Sequence, residues 1–382
     1  MTESLPVAAT RPTRAEISRS AMHHNLGVIR ALVGPEVDVM AVVKAEAYGH
    51  GMVEAAKVFA DAGAAWLGVA LPEEGVVLRE AGIDLPILCL GGFWDAQEGI
   101  VVEHRLTPAI SRLDQLERLE AEARRRGVET TVHVKIDTGM RRLGIALPDV
   151  DRVLEALGRC SNVHCDGLMT HLSSGDVPAL AAFTNGQIDA FESTAERFER
   201  GGVSLRWRHL ASSAGLHAYP RARGNLVRPG ALLYGLKGDI LQPAGAGLPD
   251  VDVRPAMCFV SRIEHLKSVP ADTPLGYGCT FRTARESRIA TIPAGYADGV
   301  RRVLSNRGEV GVRGVRAPIV GRVSMDLTIV DVTDVDGAGL GDEVVIVGPG
   351  GPSAEEFGAV AGSISYEVTC GVSARVPRVY SD

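Results

Sequence analysis

The sequence predicts an α/β chain with a β-rich ending: an N-terminal (β/α)8 barrel of the TIM type followed by a mostly β C-terminal domain. Three observations point there. Short β-branched runs alternate with helix-spaced segments through the first part of the chain. Eight such runs, counted from Val39, fall within about 200 residues, the expected size of that barrel. Beyond Gly235 the helical spacing fades, Pro and Gly rise, and only short β-rich runs remain. A doubly wound open sheet would alternate similarly, but no GxGxxG fingerprint follows the first strand.

In chain order, residues 1–10 read as a loose tail, 11–235 as the barrel and 236–382 as the β domain. Arg11 to Ser18 suggests a short strand and Ala21 to Val33 a helix. Barrel strands are expected at Val37–Val43, Trp66–Ala70, Pro86–Leu90, Leu106–Ile110, Thr131–Ile136, Val163–Met169, Leu205–Leu210 and Asn225–Val227. Helices are expected at Met52–Ala62, Glu73–Ala81, Asp95–Glu103, Leu113–Arg126 and Val150–Leu157, with a long one inside Ala179–Arg200. In the second domain the β-rich runs are Ala256–Ile263, Ile289–Ile292, Val310–Val312, Ile319–Val323, Thr328–Val332 and Glu343–Val347, with a helix near Pro352–Val360.

Composition narrows the function. With 47 acidic and 40 basic residues the net charge is −7, which gives no electrostatic case for nucleic acid. Arg124, Arg125 and Arg126 close a polar helix, where the dipole favours them. No apolar run is long enough for a membrane span, and no charged leader precedes an apolar core. The six cysteines are scattered without CxxC or zinc spacing, which fits free thiols in a reducing cytoplasm and no metal.

The chemistry gathers at strand ends, since in such a barrel the strand C-termini and following loops form the active rim. Lys44 ends the first strand, before Gly49 and Gly51 turn the chain into a helix. Desolvation there lowers a lysine pKa and exposes a nucleophilic amine. Lys135 and Arg142 flank the end of the fifth strand and His171 follows the sixth. Ser212 and Ser213 follow the seventh, and Arg228, Gly230 and Ala231 the eighth. Taken singly, each could be a structural histidine or a surface ion pair; their convergence on one rim favours a site. The last two loops match the usual phosphate position, and phosphate facing a reactive lysine suggests pyridoxal phosphate. A lysine-dependent aldolase would use the same two features but has no evident need of the second domain.

At this point the segments resemble the bacterial alanine racemase family, fold-type-III pyridoxal phosphate enzymes, nearly end to end. The similarity runs through Arg11-Pro12-Thr13, His24-Asn25-Leu26, Lys44-Ala45, Tyr48-Gly49-His50-Gly51, Asp137-Thr138-Gly139-Met140 and Arg142-Leu143-Gly144. It continues through Arg228-Pro229-Gly230, Tyr234-Gly235, Gly276-Tyr277-Gly278, Gly295-Tyr296-Ala297-Asp298-Gly299, Met325-Asp326, Tyr366-Glu367 and Arg375-Val376-Pro377-Arg378. The resemblance implies that Lys44 holds the cofactor and acts as one base, with Tyr277 of a partner subunit as the opposed base in a homodimer. It links His171 and Arg228 to that tyrosine and sets Arg228 against the pyridine nitrogen. Tyr48, Ser213, Tyr366 and the amides of Gly230 and Ala231 would take the phosphate, and Arg142 the phenolic oxygen. Lys135 matches a lysine that some members carbamylate to orient that arginine. Met325 would meet the substrate carboxylate, while Tyr366 and Tyr296 narrow the pocket to a methyl side chain.

The implied activity is interconversion of L- and D-alanine, supplying D-alanine for peptidoglycan. Glu46, Ser212, Ser324 and the run Leu172 to Asp176 depart from the usual pattern, without removing a proposed catalytic group. A broader amino-acid racemase remains open on these differences. A decarboxylase of the same architecture would place an acid where Arg228 stands and use a partner cysteine, and a pyridoxal phosphate carrier would lack the β domain.

Overall fold

The structure is a computed structural model, and it describes residues 11–241, 248 and 250–382. The tail expected at residues 1–10 lies outside the described residues. The chain begins with β1 (Arg14–Ser18) and α1 (Arg19–Val33), the latter capped by the Ser18 side chain accepting from Ala21 N–H. Then come β2 (Asp38–Val42), α2 (Lys44–Gly49), α3 (Met52–Asp61), β3 (Trp66–Val69), α4 (Pro72–Glu80), β4 (Ile87–Cys89), α5 (Glu98–Glu103) and β5 (Thr107–Ile110). They are followed by α6 (Leu113–Arg126), β6 (Thr130–Asp137), the short β7 (Ile145–Ala146), α7 (Val150–Arg159), β8 (Val163–Met169), α8 (Ala181–Arg200), β9 (Trp207–His209), α9 (Ser213–Ala218) and β10 (Leu226–Val227).

Strands β2, β3, β4, β5, β6, β8 and β9 pair in parallel in chain order, and β10 pairs with β2. Closure between β9 and β10 comes from Asn225 N–H on Arg208 O and Arg228 N–H on Ala211 O, together with a bridge between Ser212 and Arg228. The result is a near-closed eight-stranded barrel with helices outside, as expected.

Strand periodicity sorts the core. Met40, Trp66, Leu88, Ala109, Met169, Trp207 and Leu226 form one buried cluster, while their neighbours Ala41, Leu67, Ile87, Ile110, Leu168 and Val227 belong to another. Successive side chains alternate faces, so the first set fills the barrel and the second packs against its helices. Stepping two residues along each strand from the inner set reaches Val42 and then Lys44, His171, His209 and Arg228. On β6 the same face carries His133 and Lys135, because Val132 and Val134 lie in the outer cluster. The functional groups are thus the upper inward layers of the barrel.

The second half carries β11 (Met257–Arg262), β12 (His265–Val269), β13 (Pro274–Leu275), β14 (Phe281–Arg282), β15 (Ser287–Ile292), β16 (Glu309–Val312), β17 (Val315–Pro318), β18 (Thr328–Asp331) and β19 (Glu343–Val347). Helices α10 (Ala354–Ala361) and α11 (Ser365–Cys370) and strand β20 (Arg378–Ser381) end the chain. Its main sheet has the order β17-β16-β19-β11-β1-β20. β1 therefore belongs to this sheet and not to the barrel it precedes: Ala15 pairs with Phe259 on one side and Arg378 on the other. The run Ile319–Val323 is no strand. Gly321 adopts φ 72°, Asn306 Oδ1 accepts from its N–H, and Ser305 Oγ accepts from Val323 N–H. Ile319 bridges Val330 and Val320 N–H reaches Ile329 O, but past them side-chain acceptors replace a ladder, although Ile319, Val320 and Val323 are buried.

Candidate active site

A cavity of about 590 Å³ opens at the C-terminal end of the barrel strands. Lys44, Tyr48, Arg142, His171, Ser213, Arg228, Gly230, Ala231 and Tyr366 all line it, and so does Lys135. Tyr277, Tyr296 and Met325 do not. They stand on the second half of the chain, 72%, 42% and 52% exposed. Tyr296 and Met325 share adjoining turns, with Tyr296 N–H on Ser324 O and Ala297 N–H on Met325 O.

Lys44 leads a tight and unusual turn. Ala45, Glu46, Ala47 and Tyr48 all have φ between 53° and 55°, one turn of left-handed helix made without glycine. Each such residue costs about 1–2 kcal/mol, so neighbours must hold the turn. Glu74 Oε1 accepts from Ala45 N–H, Glu46 Oε2 from Met52 N–H, and the His50 ring donates from Nδ1 to the carbonyls of Ala47 and Tyr48. Burial, then the Arg142 guanidinium, hold the Lys44 amine below the usual lysine range.

Ser213 opens α9, and its Oγ accepts from Gly230 N–H at 3.0 Å and Leu232 N–H at 3.3 Å. Both lone pairs are spent, so its own proton is left for an acceptor in the cavity. Gly230 is a close-approach glycine: a Cβ there would sit 2.8 Å from Tyr48 Cζ and closer still to the hydroxyl. Tyr48 also packs against Tyr234 at 5.1 Å and edge-on to Tyr366 at 6.0 Å. This corner combines hydroxyls and backbone amides in the manner of a phosphate cradle.

Arg228 is buried. Its Nη2 donates to Thr170 O at 2.7 Å and Leu210 O at 2.8 Å, and lies 3.4 Å from His171 Nδ1. Nη1 reaches His209 Nδ1 at 3.0 Å. Burial pulls the guanidinium down to about 9, still above neutral pH, so it stays charged. Burial and then Arg228 keep His171 neutral, at about 3. Burial, then Arg228, Arg142 and Lys44, bring Lys135 to about 8.

Four basic groups, Lys44, Lys135, Arg142 and Arg228, face this cavity against one acid, Asp176, among the described residues. Such a field suits a ligand carrying phosphate and carboxylate charge. Together with a lysine of lowered pKa, the hydroxyl corner and a donor-only floor, it fits pyridoxal phosphate. The sequence reading missed Cys370 and Asp176 in the lining and the buried His133 and His209 behind Arg228. Cys370 follows Tyr366 by four residues on α11, a signal available in advance. The histidines stand two residues before Lys135 and two before Ala211, on the inward face that period two selects.

Family models described as "Alanine racemase, N-terminal domain" and "Alanine racemase, C-terminal domain" match residues 17–238 and 256–380. The alanine racemase of Sorangium cellulosum is 43% identical across 97% of this chain and 100% of its own length. That of Halothermothrix orenii is 40% identical across 98% of each. Among solved structures, Streptomyces coelicolor alanine racemase superposes with a TM-score of 0.92 at 34% identity, covering 99% of this chain and 100% of that one. The Bacillus anthracis alanine racemase with bound L-Ala-P gives 0.90 at 31%, covering 99% and 96%. Both halves match over nearly their whole length, and the chain belongs to the alanine racemase family of pyridoxal phosphate-dependent isomerases.

Proposed function

We propose that this racemase interconverts L- and D-alanine with two opposed bases, Lys44 and the Tyr277 of a second copy in a homodimer. The observation that carries this reading is the separation of the two groups within one chain: Lys44 lines the cavity while Tyr277 stands exposed away from it. One chain thus presents a base on one side only, and a second copy completes the pair. The Bacillus anthracis relative with bound L-Ala-P supports an alanine-like ligand for this chain.

Pyridoxal phosphate, when bound, supplies the electron-withdrawing ring that acidifies the substrate Cα–H. Lys44, with its neutral form favoured by burial, takes or returns a proton at one face of Cα. Tyr277 does so at the other; His171 and Arg228, adjacent at 3.4 Å, stabilise its anion. Arg228 only donates, so it keeps the pyridine nitrogen unprotonated, restraining electron withdrawal and with it side reactions such as transamination. Tyr48, Ser213, Tyr366 and the amides of Ala231 and of Gly230, the latter shared with Ser213 Oγ, hold the phosphate, and Arg142 the phenolic oxygen and the substrate carboxylate. At about 8, Lys135 has enough neutral amine to add CO2, and the resulting anion orients Arg142. The Met325 amide meets the carboxylate, and Tyr296 and Tyr366 limit the side chain to methyl size.

The division into residues 11–235 and 236–382 places the cofactor groups in the first part, except Tyr366, and Tyr277 in the second. Among the described residues no helix is long and apolar enough to cross a membrane. A cytoplasmic enzyme supplying D-alanine for peptidoglycan completes the proposal, on the strength of the family. Tyr277→Phe tests it. Racemisation should be abolished while the cofactor absorbance remains and one alanine enantiomer still exchanges its Cα–H in deuterated water. Unchanged racemisation refutes the two-base assignment.

A further inference from the structure

Behind Arg228 two histidines continue the line into the barrel. His209 Nδ1 lies 3.0 Å from Arg228 Nη1, and His209 Nε2 lies 2.8 Å from His133 Nδ1. A guanidinium has no acceptor, so His209 Nδ1 must be bare and receive its N–H. An imidazole with bare Nδ1 carries its proton on Nε2, and His209 therefore donates to His133. His133 Nδ1 must then be bare too, with its proton on Nε2. A doubly protonated ring at either position would set donor against donor. Both histidines are fully buried, which also favours the neutral forms: burial, then Arg228, bring His133 to about 3 and His209 well below its ordinary value. One charged group at the cavity dictates the proton position on two rings beneath it.

The far end is closed. His133 Nε2 is buried with no hydrogen-bond partner. The Trp66 ring lies 5.1 Å from the His133 ring, within the inner apolar cluster. A Cβ on Gly167 would come within 2.5–2.7 Å of the His133 ring from the adjacent strand. The imidazole is clamped between a glycine and an indole, and its last N–H leads nowhere, so the line cannot conduct a proton to solvent. An apolar ring would fill this space without leaving a buried donor unsatisfied. What His133 supplies that such a ring could not is the acceptor at Nδ1.

We propose that His133 is a positioning residue for catalysis: by accepting from His209 it fixes the ring that holds the Arg228 guanidinium, and so aims the remaining N–H groups of Arg228 into the cavity. Three of its five N–H groups are spent on Thr170 O, Leu210 O and His209. The direction of the other two follows from the plane those three define. The functional consequence rests on the reading that Arg228 meets the cofactor nitrogen; the proton positions do not.

The first measurement is long-range 1H–15N correlation on holoenzyme labelled at histidine, with signals assigned through single variants. Protons on Nε2 of both His133 and His209 are expected. A proton on Nδ1 of His209, or a charged ring at either site, overturns the proposal. The second compares His133→Leu with His133→Asn, whose amide oxygen restores an acceptor near the Nδ1 position. His133→Leu holoenzyme should lose roughly ten-fold in kcat, with KM for alanine little changed and the cofactor absorption maximum shifted. His133→Asn should recover both kcat and spectrum. Wild-type kcat and spectrum in folded, cofactor-loaded His133→Leu would refute the positioning role. If Arg228→Lys leaves the spectrum unmoved, the reading of Arg228 fails instead, and the positioning role falls with it while the Nε2 protons stand.

Discussion

Asp298 offers a perturbation whose size follows from the structure. Its carboxylate is fully buried and receives Arg11 at 2.7 and 2.8 Å, Arg375 at 2.7 and 3.0 Å, and Gly295 N–H at 2.9 Å. Burial pushes its pKa up, but the bonds from Arg375, Arg11 and Gly295 outweigh that and bring it to about 2 from the ordinary 3.8. The displacement corresponds to about 2 kcal/mol of stability, taking the lower end because the guanidinium partners are partly exposed. The folded value lies below the unfolded one, so this contribution is complete above about pH 5 and fades as pH falls through 4 towards 2. Asp298→Asn, which turns an amide N–H toward donors, should therefore cost about 2–4 kcal/mol at pH 7. Urea unfolding of the holoenzyme measures it as the change in midpoint multiplied by the slope. The wild-type minus variant difference should be flat from pH 8 to 5 and clearly smaller at pH 3. A difference below about 0.5 kcal/mol at pH 7, or one undiminished at pH 3, refutes the linkage argument. Function should follow, because Asp298 holds the turn bearing Tyr296 while Arg375 reaches on to Asp326 beside Met325. KM for alanine should rise more than kcat falls.

Other outcomes are equally direct. Lys44→Ala and Tyr277→Phe variants should each be inactive, whereas subunits mixed through mild unfolding and refolding should regain activity if, as proposed, one site of each hybrid then has both bases; no recovery argues against a shared site. Gly230→Ala drives a methyl into Tyr48 and should weaken cofactor affinity roughly ten- to a hundred-fold by absorbance titration; unchanged affinity would refute the close-approach reading. Stripping CO2 should lower activity and bicarbonate should restore it, with a carbamate carbon signal after 13C-bicarbonate that is missing in Lys135→Arg. Absence of that signal in the wild type removes Lys135 from the proposed chemistry.

Much of the barrel was legible because its signals are local. Leu113–Arg126 and Val163–Met169 were read to the residue, since an amphipathic helix and a buried strand each announce themselves within their own length. β12 and β20 were missed. Their residues are mostly exposed or half-buried and polar, and they are strands because β15 and β1 lie beside them. The apolar run Ile319–Val323 misled for the opposite reason: burial alone does not fix backbone pairing. At the site, their positions at strand ends carried Lys135, His171 and Arg228 to one rim. It could not say that Tyr277 would stand apart from them, nor that His133 and His209 would touch, because both facts depend on contacts between distant segments. The left-handed turn after Lys44 was also invisible, as Ala-Glu-Ala-Tyr has no residue that asks for positive φ.

The placement of β1 between β11 and β20 has a consequence for synthesis on the ribosome. This strand waits through the making of the entire barrel for one neighbour, and until Arg378–Ser381 for the other. Until Arg378–Ser381 is released, one edge of β1 stays open to any passing strand. The barrel can assemble behind it, yet the sheet that carries the second half closes only once Arg378–Ser381 has emerged. Deletion of Arg378–Ser381 should therefore depress soluble yield far more than the four residues of β20 would suggest.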